Sequence, residues 1–268
     1  MKILIIGGGN MGLTYAQSFQ RSHITSKEDM MILERSEQKA AELALKDIGT
    51  VYSRPEDCIE SADLAIFAVK PQDSAALFEN LKKLVDPQQV FLSIMAGIRI
   101  QAITEALGVR KVIRAMPNLP AQIGMGMTAF TSSDDVTRIE LVMVQNLLNT
   151  TGKTVYVEKE EAIDAATAIS GSGPAYVWFF MKSLMDAARE MGFSYSEAEL
   201  LVSQTFRGAI ELFSKSDLSC EQWIDKVCSR GGTTEAALAS YRQNLVRDDI
   251  MAGAVAALAR AVELGTGS

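Results

Sequence analysis

Short, wholly apolar runs alternate with amphipathic stretches through the first half of the chain. The apolar runs predict strands over Lys2–Ile6, Met30–Leu33, Leu64–Val69, Val90–Ile94 and Lys111–Met116. Between them, apolar spacings of three and four predict helices over Leu13–Arg21, Ser36–Leu45, Asp73–Val85 and Ile100–Leu107. Strands that are apolar on both faces are typical of a parallel sheet covered by helices on both sides. We therefore predict a doubly wound α/β domain with a mainly parallel sheet over residues 1–157.

The pattern changes near residue 158, beyond which no segment is typical of a strand. Residues rich in Ala, Met and Leu, at spacings of three and four, predict helices over Ala162–Ile169, Ala175–Met191, Ser196–Ser214, Glu235–Asn244 and Asp248–Leu264. From Met251 to Leu264 the chain is apolar on nearly every helix face, which indicates burial beyond what one small helical domain offers. The sequence thus predicts an all-α domain over residues 158–268 and a homodimer or higher homo-oligomer.

Composition narrows the classes of function. The chain has 268 residues and a net charge of −7, which argues against a nucleic-acid or anionic-membrane surface. No apolar run approaches the roughly 20 residues that a bilayer crossing needs. Three widely spaced cysteines predict neither a disulfide framework nor a zinc site, and they fit a reducing cytoplasm. The single histidine, His23, excludes a histidine metal cluster and argues against a Ser-His-Asp triad, so we predict no metal.

The first predicted strand is followed by Gly7-Gly8-Gly9-Asn10-Met11-Gly12, a G-x-G-x-x-G sequence that opens a predicted helix. Gly7 permits a tight turn, Gly9 lets the backbone approach a pyrophosphate, and Gly12 lets the helix pack close to the strand. The helix N–H groups at Asn10 and Met11 then face the anion. With a strand before it and a helix after it, the motif predicts a dinucleotide cofactor. The alternative is a purely structural glycine turn.

The residues after the second predicted strand bear on the choice between NADH and NADPH. An acidic residue here, Glu34, takes the ribose hydroxyls and repels a 2′-phosphate, which favours NADH. Arg35 and Ser36 would instead bind that phosphate, although Ser36 could equally cap the following helix. Because these residues argue in opposite directions, we expect both cofactors to be used.

Three further segments follow strands at the carboxyl edge, where ligands of open α/β sheets bind. Ala68-Val69-Lys70-Pro71 ends one predicted strand, and its proline bends the chain over the cofactor. Ala96-Gly97 ends the next, where a glycine would let the backbone pass close to a nicotinamide. Asn118 lies in the rigid Pro117–Pro120 loop and could present its amide to the nicotinamide or the substrate. The alternative for each segment is an ordinary turn.

Two glycine-containing segments stand out in the second half. Ser170-Gly171-Ser172-Gly173-Pro174-Ala175-Tyr176 permits a helix break or a close helix contact. Ser229-Arg230-Gly231-Gly232-Thr233-Thr234-Glu235 places two glycines and then hydroxyl residues at a helix start, which supplies N–H groups and side-chain donors for a carboxylate. The alternative for the second segment is a glycine loop with a threonine cap and no ligand.

Together these segments resemble the 1-pyrroline-5-carboxylate reductases over nearly the whole chain. The matching segments, in the family's order and spacing, are Gly7–Gly12, Ala68–Gln72, Arg114–Pro120, Ser170–Tyr176 and Gly231–Leu238. The last two are specific, whereas the first is shared with many dehydrogenases. The resemblance implies a Rossmann domain followed by a helical dimerisation domain that intertwines with a second chain. It also implies hydride transfer from NADPH or NADH to 1-pyrroline-5-carboxylate, the last step of proline biosynthesis.

The resemblance further implies residue roles in the second glycine segment. Ser229 and the amides of Gly232 and Thr233 would hold the substrate carboxylate, with Gly231 in the same site, and Thr234 would be the catalytic residue that hydrogen-bonds the ring nitrogen. A protonated cyclic imine is already an activated hydride acceptor, which agrees with the lack of a histidine acid.

The chain departs from the family at three positions. Arg230 stands where the family often has proline, and Leu119 stands where it often has threonine or another small residue. Glu34 replaces what is frequently a neutral residue. The first two leave the reaction unchanged, and Glu34 argues against a strict NADPH preference.

Two other classes of protein share part of this pattern. A β-hydroxyacid dehydrogenase would carry a catalytic lysine four residues after a glycine motif, but counting from Gly173 that position is Val177, and Lys182 lies too far along. A nucleotide-sensing protein without catalysis would explain the first domain and leave Ser229–Thr234 without a purpose.

Overall fold

The computed structural model describes residues 1–265, and its first half is built on an eight-stranded sheet. The strands are β1 Ile3–Ile6, β2 Met30–Leu33, β3 Thr50–Tyr52, β4 Leu64–Phe67, β5 Val90–Ser93, β6 Lys111–Met116, β7 Gly126–Ser132 and β8 Gly152–Tyr156. They are ordered β3-β2-β1-β4-β5-β6-β7-β8 across the sheet. Neighbouring strands are parallel except β6 and β7, which are antiparallel. The predicted mainly parallel sheet is confirmed.

Five helices cover the two faces of the sheet. They are α1 Asn10–Arg21, α2 Glu37–Ala44, α3 Ser74–Leu81, α4 Ile100–Leu107 and α5 Arg138–Asn149. Alternate side chains of β1 enter two separate cores, with Ile5 packing among residues of α1 and α5, and Ile6 packing among residues of α3 and α4. Burial on both faces explains why these strands are apolar at every position. The predicted doubly wound arrangement is therefore confirmed.

The predicted elements are present, with small differences at their ends. The strand predicted over Leu64–Val69 ends at Phe67, because the chain then leaves the sheet and Pro71 opens a short 3₁₀ turn. The helix predicted over Asp73–Val85 is shorter than expected, at Ser74–Leu81. The residues freed at these two ends, 68–73, form one side of the cavity described below.

The hydrophobic pattern predicts no element between residues 121 and 157, yet β7, α5 and β8 lie there. In β7 the buried residues include Thr128 and Thr131. Because threonine is polar, these two residues interrupt the apolar run by which a buried strand is recognised in a sequence. At the end of the sheet order, β8 has largely exposed side chains and therefore carries little apolar signal. A local signal does mark α5, since Thr137 and Glu140 form a capping box at its start.

The second half is helical throughout the described residues, as predicted. After α6 Glu161–Ala166 comes a π-helical turn, Thr167–Gly171, and then α7 Gly173–Glu190, α8 Tyr195–Ser214, α9 Cys220–Val227, α10 Thr233–Gln243 and α11 Val246–Gly265. The pattern misses α9, although Ser219 and Gln222 form a capping box at its start. None of the helices within residues 1–265 has the length and apolar character that crossing a bilayer requires.

Contacts group the chain into two compact units. One contains residues 1–172 together with the chain from Ala257 onward, and the other contains residues 173–256. Residues 158–172, which the pattern places in the helical domain, thus group with the sheet. Arg114 of β6 pairs with Asp164 of α6 and with Glu160, the residue before this helix. Residues 157 and 158 mark the change from strands to helices along the chain. A domain boundary at this position stays a prediction. Residues 266–268 of the predicted helical domain lie outside the described residues.

Candidate active site

Two glycines of the first motif are required by close backbone approach. Gly7 has a φ of +107°, and a Cβ placed there would lie 2.8 Å from the Ala68 carbonyl oxygen. A Cβ on Gly12 would lie 2.2 Å from the Gly7 carbonyl oxygen. The roles predicted for these residues, a tight turn and close packing of helix on strand, are thus visible in the geometry. Gly8 was not predicted as a constrained position, yet its Cβ would lie 2.2 Å from Leu43 Cδ1.

The N-terminus of α1 faces open space. Gly9 is its N-cap, no side chain caps the helix, and its first turn contains no acidic residue. The first-turn N–H groups, those of Asn10, Met11 and Gly12, have no acceptors within the helix. A Cβ on Gly9 would meet no atom within 4 Å. An uncapped helix N-terminus behind an unobstructed glycine fits a pyrophosphate, so these residues can hold a dinucleotide.

A cavity of about 370 Å³ lies beside this turn. Seven residues predicted to contact the cofactor line it: Gly7, Gly9, Glu34, Arg35, Ala68, Val69 and Lys70. Sequence reasoning missed Lys39, Asp73 and Asn80, which line the same cavity. The first of these is one helical turn beyond Ser36, a spacing that could have identified it. The tertiary structure thus brings the residues that follow β1, β2 and β4 together in one place, whereas Ala96, Gly97 and Asn118 are not among the residues that line this cavity.

Glu34 is held by two backbone N–H groups. Its Oε2 accepts from the Gly8 N–H at 3.3 Å, and its Oε1 accepts from the Ser36 N–H at 3.0 Å. The residue is only 9% exposed, so the carboxylate is kept at one position on the cavity wall. The Ser36 hydroxyl caps α2 by accepting from the Lys39 N–H. Ser36 therefore acts as the helix cap that was the alternative to phosphate binding. A contact between its side chain and a phosphate stays a prediction.

Arg35 reaches across the cavity to its other side. Its Nη2 donates to Asp73 Oδ1 at 2.9 Å, and the arginine side chain is 77% exposed. Asp73 precedes α3, immediately after the predicted Lys70–Pro71 segment. The guanidinium predicted to bind a 2′-phosphate is therefore already paired with a carboxylate.

The turn after β5 has a structural reason for its glycine. Gly97 has a φ of +74°, and a Cβ there would lie 2.9 Å from the carbonyl carbon and oxygen of Leu264. The last turn of α11 therefore packs against this glycine. Contact between Ala96-Gly97 and a nicotinamide, which was the basis for predicting this site, stays a prediction.

The Asn118 amide joins two of the segments noted in the sequence. Its Oδ1 accepts from the Met127 N–H at 2.9 Å, and its Nδ2 donates to the Ser170 carbonyl at 3.0 Å. The side chain thus ties the proline-flanked loop to β7 and to the π-helical turn. Each end of the amide can still form a second hydrogen bond, and its contact with a cofactor stays a prediction.

A buried ion-pair network beneath this loop was not predicted. Arg114 is 1% exposed, and its guanidinium donates to Glu160 Oε1 at 3.0 Å and to Asp164 Oδ1 at 2.7 Å. Arg99 Nη2 lies 3.6 Å from the other oxygen of Asp164. An arginine within an otherwise apolar strand, and two carboxylates four residues apart at a helix start, were the available signals.

The second glycine segment lies in the other compact unit, at the start of α10. Gly231 has a φ of +74°, and the space for a Cβ on Gly232 is filled by Ser229, whose Oγ would lie 2.5 Å away. The Gly231 N–H donates to Glu235 Oε2 at 2.6 Å, and the Gly232 N–H donates to the Ser229 carbonyl at 3.0 Å. The amide of Gly232, predicted to bind a carboxylate, is therefore engaged within the loop.

Thr233 and Thr234 are the first two residues of α10. Gly232 is the N-cap, with no side-chain cap hydrogen bond, so the alternative of a threonine cap is wrong. The N–H groups of both threonines lie in the first helical turn and have no acceptors within the helix. Among residues 1–265, the hydrogen bonds give the half-buried Thr234 hydroxyl no partner. Two backbone donors and a hydroxyl are thus available to a ligand, beside the exposed Ser229.

Two further ionisable side chains, those of Tyr15 and Cys58, are buried in the core. Burial raises the pKa of the Tyr15 hydroxyl to about 12, and burial followed by the nearby Asp57 and Glu56 raises the pKa of the Cys58 thiol to about 11. Neither group ionises near neutral pH. Residues 1–265 hold no group of three or more His, Cys, Asp or Glu side chains arranged for a metal ion.

Two family models match the chain. The model described as pyrroline-5-carboxylate reductase dimerisation matches residues 160–264. The model described as NADP oxidoreductase, coenzyme F420-dependent, matches residues 2–97. The first contains the α10 loop, and the second contains the glycine turn and the cavity.

Named relatives agree with the first model. A pyrroline-5-carboxylate reductase of Aquifex aeolicus is 35% identical over 87% of this chain and 86% of its own, and one of Pseudomonas aeruginosa is 32% identical over 91% and 89%. The crystal structure of Plasmodium falciparum pyrroline carboxylate reductase with NADP bound has a TM-score of 0.88 at 30% identity, covering 99% and 98% of the two chains. With this identity over nearly the whole length, the chain belongs to the pyrroline-5-carboxylate reductase family.

Proposed function

We propose that this protein reduces the C=N bond of 1-pyrroline-5-carboxylate, giving L-proline as the last step of proline biosynthesis, with hydride from NADH or NADPH. The observation that carries the proposal is the start of α10, where two backbone N–H groups and the Thr234 hydroxyl are available beside Ser229. A carboxylate matches the N–H donors, and the Thr234 hydroxyl oxygen can accept from the N–H of an adjacent protonated ring nitrogen. The glycine turn and its cavity support the dinucleotide.

The reaction requires the protein to position the substrate, and it requires little proton transfer from protein side chains. A bound nicotinamide cofactor would supply the hydride for the imine carbon. The N–H groups of Thr233 and Thr234 and the Ser229 hydroxyl hold the carboxylate, in place of the Gly231 and Gly232 amides, which are engaged in the loop. The Thr234 hydroxyl fixes the ring nitrogen. Orientation of this kind is enough for an acceptor that is already activated by protonation.

The N-terminus of α1 would hold the pyrophosphate. Its uncapped N–H groups and helix dipole favour an anion without any charged side chain. Glu34 would accept from the ribose hydroxyls through the lone pairs that its two backbone partners leave available.

A turnover assay tests the function. Purified protein is mixed with NADH or NADPH and 1-pyrroline-5-carboxylate, and loss of reduced cofactor and formation of proline are measured together. We expect the amount of reduced cofactor lost to equal the amount of proline formed. Cofactor binding without turnover would indicate the nucleotide-sensing alternative. Oxidation of β-hydroxyacids with NAD(P)⁺, in place of imine reduction, would indicate the dehydrogenase alternative.

We further infer a homodimer. Large apolar side chains on α7, α8 and α11 are half or more exposed in the single chain, among them Trp178, Phe179, Leu200 and Val255. Monomers rarely leave so much apolar surface in water, and the matched dimerisation model covers these helices. We also infer a cytoplasmic location from the three unpaired cysteines. The acidic net charge supports the absence of a nucleic-acid partner.

A further inference from the structure

An ion pair between Arg35 and Asp73 crosses the cavity beside the glycine turn. Arg35 follows β2 on one side of the cavity, Asp73 precedes α3 on the other, and both line it. Their 2.9 Å contact joins the two sides where the predicted cofactor's ribose would lie. We call Arg35 and Asp73 the cavity-crossing pair.

The cavity holds charges of both signs, and they differ in how firmly they are held. Its carboxylates are Glu34 and Asp73, and its cations are Arg35, Lys39 and Lys70. Two backbone N–H groups fix the buried Glu34. Asp73 instead pairs with the exposed guanidinium of Arg35, and ion pairs in contact with solvent are weak enough to exchange partners.

We propose that Asp73 determines the balance between NADPH and NADH by competing with the 2′-phosphate for the Arg35 guanidinium. A phosphate dianion is the stronger partner for arginine, so NADPH takes the guanidinium. The bound 2′-phosphate then lies near the released Asp73 carboxylate, which repels it. NADH has no phosphate and leaves the cavity-crossing pair in place. Asp73 is thus a specificity-determining residue that acts through Arg35. This proposal rests on the cofactor site of the proposed function.

The test is direct binding of NADPH and NADH to the full-length protein, without imine, in wild type and in Asp73→Asn. The asparagine keeps the shape and removes the charge. We expect the ratio Kd(NADPH)/Kd(NADH) to fall about threefold to tenfold, the range set by an exposed pair plus loss of repulsion. In an Arg35→Gln background the same substitution should change the ratio by less. The effect should also shrink as salt is raised.

Asp186→Asn is the matched control, because Asp186 pairs with exposed Lys182 on α7, outside the cavity. It should leave the ratio at the wild-type value. An unchanged ratio in Asp73→Asn, or an equally large change without Arg35, would overturn the proposal. Failure of the proposed function has a different signature, since both cofactors would bind with the expected ratio while imine turnover was absent.

Discussion

Thr234 is the residue on which the proposed chemistry depends most. If its hydroxyl orients the ring nitrogen, Thr234→Ala removes one hydrogen bond to a charged group, worth roughly 1.5–3 kcal/mol. We expect kcat/KM for the imine to fall about tenfold to a hundredfold. Thr234→Ser, which keeps the hydroxyl, should retain most of the activity. Steady-state kinetics on both variants measure this.

Thermal stability separates this role from helix capping. Because Gly232 is the N-cap of α10, Thr234→Ala should leave the thermal midpoint close to that of wild type. Thr205→Ala is a matched control, since the Thr205 hydroxyl donates to the Leu201 carbonyl within its own helix, α8. A lowered midpoint with normal kcat/KM for Thr234→Ala would leave Thr234 a structural residue.

Glu34 is expected to restrain the use of NADPH. Its carboxylate is fixed on the cavity wall by the N–H groups of Gly8 and Ser36, so it stands at a constant position against a 2′-phosphate. Glu34→Ser removes that repulsion and frees both donors, and we expect the ratio of kcat/KM for NADPH over NADH to rise. Comparing the two cofactors in wild type and variant measures it. An unchanged ratio would place Glu34 away from the ribose.

At the scale of elements, the glycine turn joins β1 to α1 and offers a contrast between two of its glycines. Gly12→Ala puts a methyl group against the Gly7 carbonyl, and overpacking of this kind costs about 1–3 kcal/mol of stability. Gly9→Ala meets open space and an ordinary φ of −74°, so stability should hold. Its methyl group instead occupies the pyrophosphate position, and we expect Kd for NADH to rise about tenfold or more. Thermal midpoints and cofactor titrations distinguish the two, and a destabilised Gly9→Ala with normal binding would contradict this.

The junction of β6 and α6 depends on the buried network around Arg114. Arg114→Ala would leave Glu160 and the buried Asp164 without their main partner, and uncompensated charges of this kind cost about 3–5 kcal/mol. Arg54→Ala removes an exposed partner of Asp57 and should cost less than about 1 kcal/mol. Urea unfolding of the two variants measures the difference. Equal, small losses would mean that Arg99 alone satisfies Asp164.

For the whole molecule, we expect a stable dimer of the 29.1 kDa chain. The exposed apolar faces of α7, α8 and α11 need a partner surface, and the predicted assembly supplies it. Light scattering across a dilution series should give about twice the chain mass or a multiple of that, with activity following the assembled fraction. An active species of single-chain mass would contradict the dimer.

The sequence by itself determined the doubly wound domain, the helical second half and the two glycine segments. These follow from local chemistry. Short, wholly apolar runs between helices are typical of strands buried on both faces, and a glycine motif between strand and helix predicts an uncapped N-terminus for an anion. Even the bounds of β2, β6 and α4 match the prediction. Of the missed elements, β3, β7, β8 and α9 have an apolar signal that is short or interrupted by polar residues, whereas α5 has apolar residues at helical spacing and could have been predicted.

Only the tertiary structure decided which predicted residues are available to ligands. Asn118 and the Gly232 amide look like free donors in the sequence. In the fold, the Gly232 N–H donates to the Ser229 carbonyl, and Asn118 Nδ2 donates to the Ser170 carbonyl and keeps a second N–H. The Arg35–Asp73 contact spans 38 positions along the chain. Hydrogen bonds and ion pairs depend on distances of a few ångströms, and spacing along the chain does not set those distances between elements that meet only in the folded sheet.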